Sequence, residues 1–75
     1  METLRFGVVG IGNMGSAHAV QLFEGRVKGA KLAAVCDCRR ERREWAGERL
    51  GRVPRYEDYE TLLDSGEVDA VLIAT

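Results

Sequence analysis

Apolar residues fall into four short blocks along the chain, and the stretches between them carry helical spacing or turn residues. Thr3 to Gly10 reads as a first strand, with Phe6, Val8 and Val9 as its apolar positions and Gly7 as its weak point. Asn13 to about Gly25 reads as a helix, because Ala19, Leu22 and Phe23 follow Gly15 at helical spacing with Val20 beside them. Gly25 and Gly29 bracket a polar exit turn in which Val27 is expected to pack back. Ala30 to Asp37 forms the second block, and its near-continuous run Leu32-Ala33-Ala34-Val35 suits a parallel strand covered on both faces. Arg39 to Leu50 reads as a second helix with a thin inward face of Trp45, Ala46 and Leu50, ended by Gly51. Pro54 marks a break before a very short third strand, Arg55-Tyr56. Asp58 is placed to cap a short helix carrying Tyr59, Leu62 and Leu63, which Ser65-Gly66 stops. Val68 to Thr75 holds the fourth strand, apolar throughout Ala70 to Ala74.

The order βαβαβαβ predicts an α/β fold with a parallel sheet and right-handed crossovers. Its expected form is a partial Rossmann-type sheet with strand order 3-2-1-4. In such a sheet a ligand crevice lies where the order reverses, at the carboxyl ends of strands 1 and 4. Gly10 and Thr75 end those strands and are expected to face each other across it.

The junction of strand 1 and the first helix carries Gly10-x-Gly12-x-x-Gly15, and this strand–turn–helix context gives the glycine pattern its meaning. Gly10 permits the tight turn, Gly12 lets backbone approach a pyrophosphate, and Gly15 lets the helix pack closely on the strand. Backbone N–H groups at the helix start, those of Asn13 and Met14 among them, with the positive end of the helix dipole, then face phosphate. This makes Gly10, Ile11, Gly12, Asn13, Met14 and Gly15 the cofactor-binding candidates of the loop. Asp37 ends strand 2, 22 residues beyond Gly15, where a carboxylate accepts hydrogen bonds from an adenine ribose. That carboxylate repels a 2′-phosphate, so NAD is favoured and NADP is possible. Arg39 and Arg40 complicate the preference, since cations at a helix N-terminus oppose the dipole unless an anion compensates. A 2′-phosphate held by Arg39 is one such anion; pairing with a local glutamate is the plainer expectation. His18, one turn into the first helix, is read as a packing or surface residue.

Composition narrows the field. The charged fraction is 31% with a net charge of −1, which lacks the basic excess of a nucleic-acid surface. The run Arg39-Arg40-Glu41-Arg42-Arg43-Glu44 mixes signs and reads as a solvated helix face, with Arg40 and Glu44 at i, i+4 spacing. No apolar run approaches the roughly 20 residues of a membrane span, and the chain enters a strand almost at once, so a cytoplasmic protein without membrane contact is expected. Cys36 and Cys38 are too close for an unstrained bridge, and with His18 far off they are read as free thiols, not metal ligands.

Three segments resemble the N-terminal portion of the Gfo/Idh/MocA oxidoreductases: Arg5 to His18, Leu32 to Asp37, and Val68-Asp-Ala-Val-Leu-Ile-Ala-Thr75. Tyr56 to Leu63 is similar to that family's short third strand and following helix. The resemblance implies a nicotinamide-dependent oxidoreductase acting on sugars, cyclitols or similar hydroxylated skeletons. It places the pyrophosphate at Gly10 to Gly15 and the ribose at Asp37. It makes Ala74-Thr75 the start of a loop beside the nicotinamide. The family's chemistry also needs a lysine in a Glu-Lys-Pro motif and a C-terminal substrate domain. Neither matches anything here, so no catalytic residue is assigned, and residues 1–75 are expected to be the N-terminal part of a dinucleotide-binding domain.

Two other readings stay open. One is a stand-alone dinucleotide-binding or sensing module. The other is a site for S-adenosylmethionine, disfavoured because Gly15 completes the spacing a pyrophosphate wants. A 3-2-1-4 sheet also leaves strand 4 as a bare apolar edge, so self-association through that edge is expected.

Overall fold

We describe residues 3–74 from a computed structural model. The elements run β1 (Leu4–Val9), α1 (Asn13–Phe23), β2 (Ala30–Cys36), α2 (Arg40–Arg49), β3 (Arg55–Tyr56), α3 (Tyr59–Asp64) and β4 (Ala70–Ile73). All strand pairings are parallel and the order is β3-β2-β1-β4, as the element sequence predicts. The ladder between β1 and β2 shifts register after Phe6, which pairs with Leu32 while Gly7 pairs with Ala34.

The two sheet faces are covered unequally. On one, α1 and α2 bury Val8, Ile11, Ala19, Leu22, Leu32, Val35, Ala46 and Leu50, with Trp45 packed at the margin. Among the described residues the other has α3 alone, where Leu62 meets Ala34 and Cys36, flanked by Val9, Tyr56, Val68 and Val71. Gly7 makes that second contact possible: a Cβ there would sit 3.0 Å from Val68 and 3.2 Å from Leu62. The weak point in strand propensity is thus where α3 reaches the sheet.

Two local anchors fix the frame. Asp58 accepts from the Thr61 N–H at 2.8 Å and caps α3 as predicted. Arg5 forks onto Asp69 through Nε at 3.1 Å and Nη2 at 2.9 Å, and Asp69 also accepts from the Arg5 N–H at 2.9 Å. That pair ties the start of β1 to the turn entering β4 and holds the Asp69 carboxyl down at about 2.

Some expectations give way to tertiary packing. Helix α1 ends at Phe23, since Gly25 adopts φ +73 and turns the chain out of the helix. Phe23 itself is exposed and Val27 does not pack back, because the turn from α1 to β2 carries both past the end of the core. Leu63 and Tyr59 are also exposed, since a helix of six residues turns only Leu62 fully onto the sheet. Strand β4 pairs with β1 alone among the described residues and is half-buried, with Ile73 exposed. No helix among the described residues is long and apolar enough to cross a membrane.

Candidate dinucleotide site

The carboxyl ends of β1, β2 and β4 open on one cleft of about 1020 Å³. Gly10, Gly12, Asn13 and Met14 line it from the glycine loop, Cys36 to Arg39 from the end of β2, and Leu72 to Ala74 from β4. The head of α3 adds Asp58 and Tyr59. Topology alone brings these together, since parallel strands deliver all their carboxyl ends to one edge. Thr75, the other expected cleft residue, lies outside the described residues; its neighbour Ala74 bonds through its N–H to the Val9 carbonyl at 2.8 Å.

Each glycine of the loop has its own physical reason. Gly10 has φ +89, a conformation side chains rarely adopt, and this makes the turn off β1. A Cβ on Gly15 would lie 1.6 Å from the Gly10 carbonyl oxygen, so α1 can approach β1 only with glycine there. At Gly12 a Cβ would meet just one atom within 4 Å, Nη2 of Arg39 at 3.3 Å. Gly12 is therefore open toward the cleft except for that guanidinium. No side chain caps α1, which leaves its first-turn N–H groups, including those of Asn13 and Met14, for solvent or a ligand.

Asp37 is the electrostatic centre of the cleft. It is 5% exposed, the one buried charged residue among those described. Its Oδ2 accepts from the Ile11 N–H at 2.9 Å, which locks the glycine loop to the end of β2. The remaining donors all come from Arg39: its backbone N–H at 2.8 Å and Nε at 3.0 Å to Oδ1, and Nη2 at 2.9 Å to Oδ2. The guanidinium fork is the main reason the carboxyl sits at about 2, helped by the two backbone N–H groups and opposed by burial. Arg39 thus pairs with Asp37 and not with a glutamate, because the turn after β2 folds its side chain back over the strand end.

The arginine run on α2 departs from the solvated-face expectation. Arg40 does pair with Glu44, at 3.3 Å and in solvent. Arg42, however, donates Nε to the Ile11 carbonyl at 2.6 Å and lies 4.8 Å over the Trp45 ring. Arg43 donates to the Asp37 carbonyl at 2.9 Å and pairs with Glu57 at 3.4 Å. The Ile11 residue is therefore gripped at both ends, its N–H by Asp37 and its C=O by Arg42. Across a trans peptide the Gly12 N–H points opposite to that carbonyl, away from α2. Only the thin apolar face of α2 was legible; that its polar face meets backbone carbonyls was not. The signal available was the excess of arginine, whose planar fork suits such bonds better than lysine.

His18 lines the cleft from the second turn of α1. Cys36 is buried, which pushes its thiol up, and Cys38 is exposed at the cleft rim. No three His, Cys, Asp or Glu side chains among the described residues gather as a metal site would require.

Residues 4–75 match the model of the Gfo/Idh/MocA group, described as an oxidoreductase family with an NAD-binding Rossmann fold. The chain belongs to the Gfo/Idh/MocA oxidoreductase family. Among its relatives, an inositol 2-dehydrogenase of Pseudarthrobacter chlorophenolicus is 43% identical over 74 residues, 99% of this chain and 22% of that protein. A scyllo-inositol dehydrogenase from Lactobacillus casei, solved with bound NAD(H) and scyllo-inositol, superposes with a TM-score of 0.88 at 30% identity. The match covers 99% of this chain and 22% of that one. The WlbA dehydrogenase from Bordetella pertussis, solved with NADH and UDP-GlcNAcA, gives a TM-score of 0.83 at 28% identity, over 99% and 22% of the two chains. This Gfo/Idh/MocA chain thus spans about a fifth of the relatives it matches. What it shares with them is the NAD-binding Rossmann fold.

Proposed function

We propose that this chain is the nucleotide-binding part of a longer dehydrogenase that moves hydride between NAD and a cyclitol, sugar or related hydroxylated substrate. The glycine loop holds the pyrophosphate through the backbone N–H groups of Gly12, Asn13, Met14 and Gly15, while those of Gly10 and Ile11 are taken by the Cys36 carbonyl and Asp37 and shape the loop. Asp37 holds the adenosine ribose. By the family resemblance, Ala74 leads into the loop on the nicotinamide side of the cleft. The observation that carries this reading is Asp37: a buried carboxylate at the cleft, bonded at 2.9 Å to the N–H of the glycine loop. A carboxylate so placed suits hydroxyl donors, which favours NAD over NADP, and Arg39 keeps the preference from being absolute. The coverage of about 22% of the inositol dehydrogenases and the absence of any assigned catalytic residue point to a substrate domain supplied elsewhere in the full protein.

The half-buried edge of β4 supports self-association of this chain when nothing else covers it. Val71 and Leu72 would meet a second copy or the next strand of the complete sheet.

Calorimetric titration of the chain with NAD, NADP, ADP-ribose and S-adenosylmethionine tests the binding reading. NAD and ADP-ribose are expected to bind, NAD more tightly than NADP, and S-adenosylmethionine not to compete. A folded chain that ignores NAD, or that takes S-adenosylmethionine equally well, refutes it. The intact mass of the protein from its own cells tests the rest. A mass several times 8.3 kDa supports a complete dehydrogenase, and a mass near 8.3 kDa supports a stand-alone binding module.

A further inference from the structure

The four donors to Asp37 divide into two kinds. Two are backbone N–H groups, from Ile11 and Arg39, and the fold fixes them. Two are side-chain donors, Nε and Nη2 of Arg39, on a side chain that is 51% exposed. An ionised carboxylate offers about four lone-pair sites, so all are in use. Each oxygen carries one backbone donor and one guanidinium donor. If the guanidinium swings away, one site opens on each oxygen, side by side, and a vicinal diol presents two O–H donors to such a pair. Nη2 also lies 3.3 Å from the place a Cβ on Gly12 would occupy, so the fork sits beside the glycine loop.

We propose that Arg39 is an internal competitor for the ribose diol, and that this competition sets how far the cleft prefers NAD to NADP. The proposal rests on the nucleotide-binding reading above. NAD must displace the fork to reach Asp37, and the freed guanidinium then stands in solvent beside the ribose. A ribose with a 2′-phosphate lacks one of the two O–H donors, but it offers the guanidinium an anion that a planar fork grips well. Arg39 therefore weakens NAD and supports NADP, narrowing a gap that Asp37 alone would make wide. Arg42 and Arg43 do not substitute for it, since they are bonded to the Ile11 and Asp37 carbonyls, and Arg40 pairs with Glu44 and does not line the cleft.

The test compares the wild-type chain with Arg39→Ala and Arg39→Lys, each checked for fold by circular dichroism. Each is titrated with NAD, NADP, ADP and 2′,3′-dideoxy-ADP. Arg39→Ala is expected to bind NAD and ADP about fivefold more tightly, the scale of a half-exposed ion pair. Its NADP affinity does not rise, and dideoxy-ADP, with no diol to compete, shows no gain. Arg39→Lys, which keeps the charge but loses the fork, gains less than alanine and serves alone if Arg39→Ala does not fold. Weaker NAD binding in the variants, or an equal gain for dideoxy-ADP, overturns the proposal and leaves the binding reading intact. A folded wild-type chain that binds neither NAD nor ADP overturns both.

Discussion

Replacing Gly15 with alanine would set a methyl carbon 1.6 Å from the carbonyl oxygen of Gly10, where real Cβ contacts stay beyond 3.0 Å. The obstacle is backbone, so no rotamer change relieves it; α1 and the end of β1 must separate by at least 1.4 Å. That movement strains the bond from the Gly10 N–H to the Cys36 carbonyl at 2.8 Å and the one from Ile11 to Asp37 at 2.9 Å. Overpacking costs about 1–3 kcal/mol, each weakened hydrogen bond about 1 kcal/mol more, and the gain in helix propensity offsets up to about 1 kcal/mol. The net is a loss of about 3 kcal/mol, against a total of roughly 4–11 kcal/mol for a chain of this size. The thermal midpoint should fall by roughly 12–24 °C. Gly12→Ala is the control from the same motif. Its Cβ meets just the mobile end of Arg39, so the midpoint should stay within about 5 °C, while the methyl blocks the pyrophosphate approach and NAD affinity drops more than about tenfold. Thermal melts by circular dichroism and NAD titration separate the two effects. A Gly15→Ala chain that melts like wild type, or a Gly12→Ala chain that binds NAD like wild type, refutes the division of labour.

Three further outcomes follow from the same geometry. The Asp37 carboxyl sits at about 2 in the folded chain, below its ordinary value of 3.8, so its stabilisation is present above pH about 4 and is lost as pH falls toward 2. That contribution is on the order of 1–2 kcal/mol after allowing for the half-exposed Arg39. Asp37→Asn should flatten that acid limb of the melting curve; Asp69, also at about 2, titrates in the same window, so Asp69→Asn is run beside it. An unchanged limb in Asp37→Asn would show that the pair with Arg39 does not stabilise the fold. Leu62→Ala removes the one fully buried leucine on the α3 face and should cost about 2–4 kcal/mol in chemical denaturation, with a loss below about 1 kcal/mol contradicting the packing. Arg42→Ala frees the Ile11 carbonyl and should weaken ADP-ribose binding several-fold while leaving adenosine binding unchanged, since adenosine has no pyrophosphate for the loop to hold. Equal loss for both ligands would mean that Arg42 supports the fold alone.

Element order, strand direction and the glycine loop were written in consecutive residues. The short apolar blocks, the positive-φ position at Gly10, the cap at Asp58 and the spacing from Gly15 to Asp37 are all local. Local stereochemistry and periodicity determine them; alternating such units makes the sheet parallel, and the order β3-β2-β1-β4 is that of half a doubly wound dinucleotide-binding fold. Those same features identify the cleft, because a parallel sheet leaves little choice about where its carboxyl ends gather.

What tertiary structure alone decided is who partners whom. Nothing in the run of arginines distinguishes Arg40, left in solvent, from Arg42, bonded to Ile11 across 31 positions of sequence. Arg5 and Asp69 meet across 64 positions because β4 inserts beside β1, and Phe23 and Val27 miss the core because of where the α1 exit turn points. Asp37 joins both levels. Its place at the end of β2 was legible from spacing, but its saturation by the Ile11 N–H and the Arg39 fork was not. A carboxylate's partners are set by the distances among segments that pack together, and no periodicity along the chain encodes those distances.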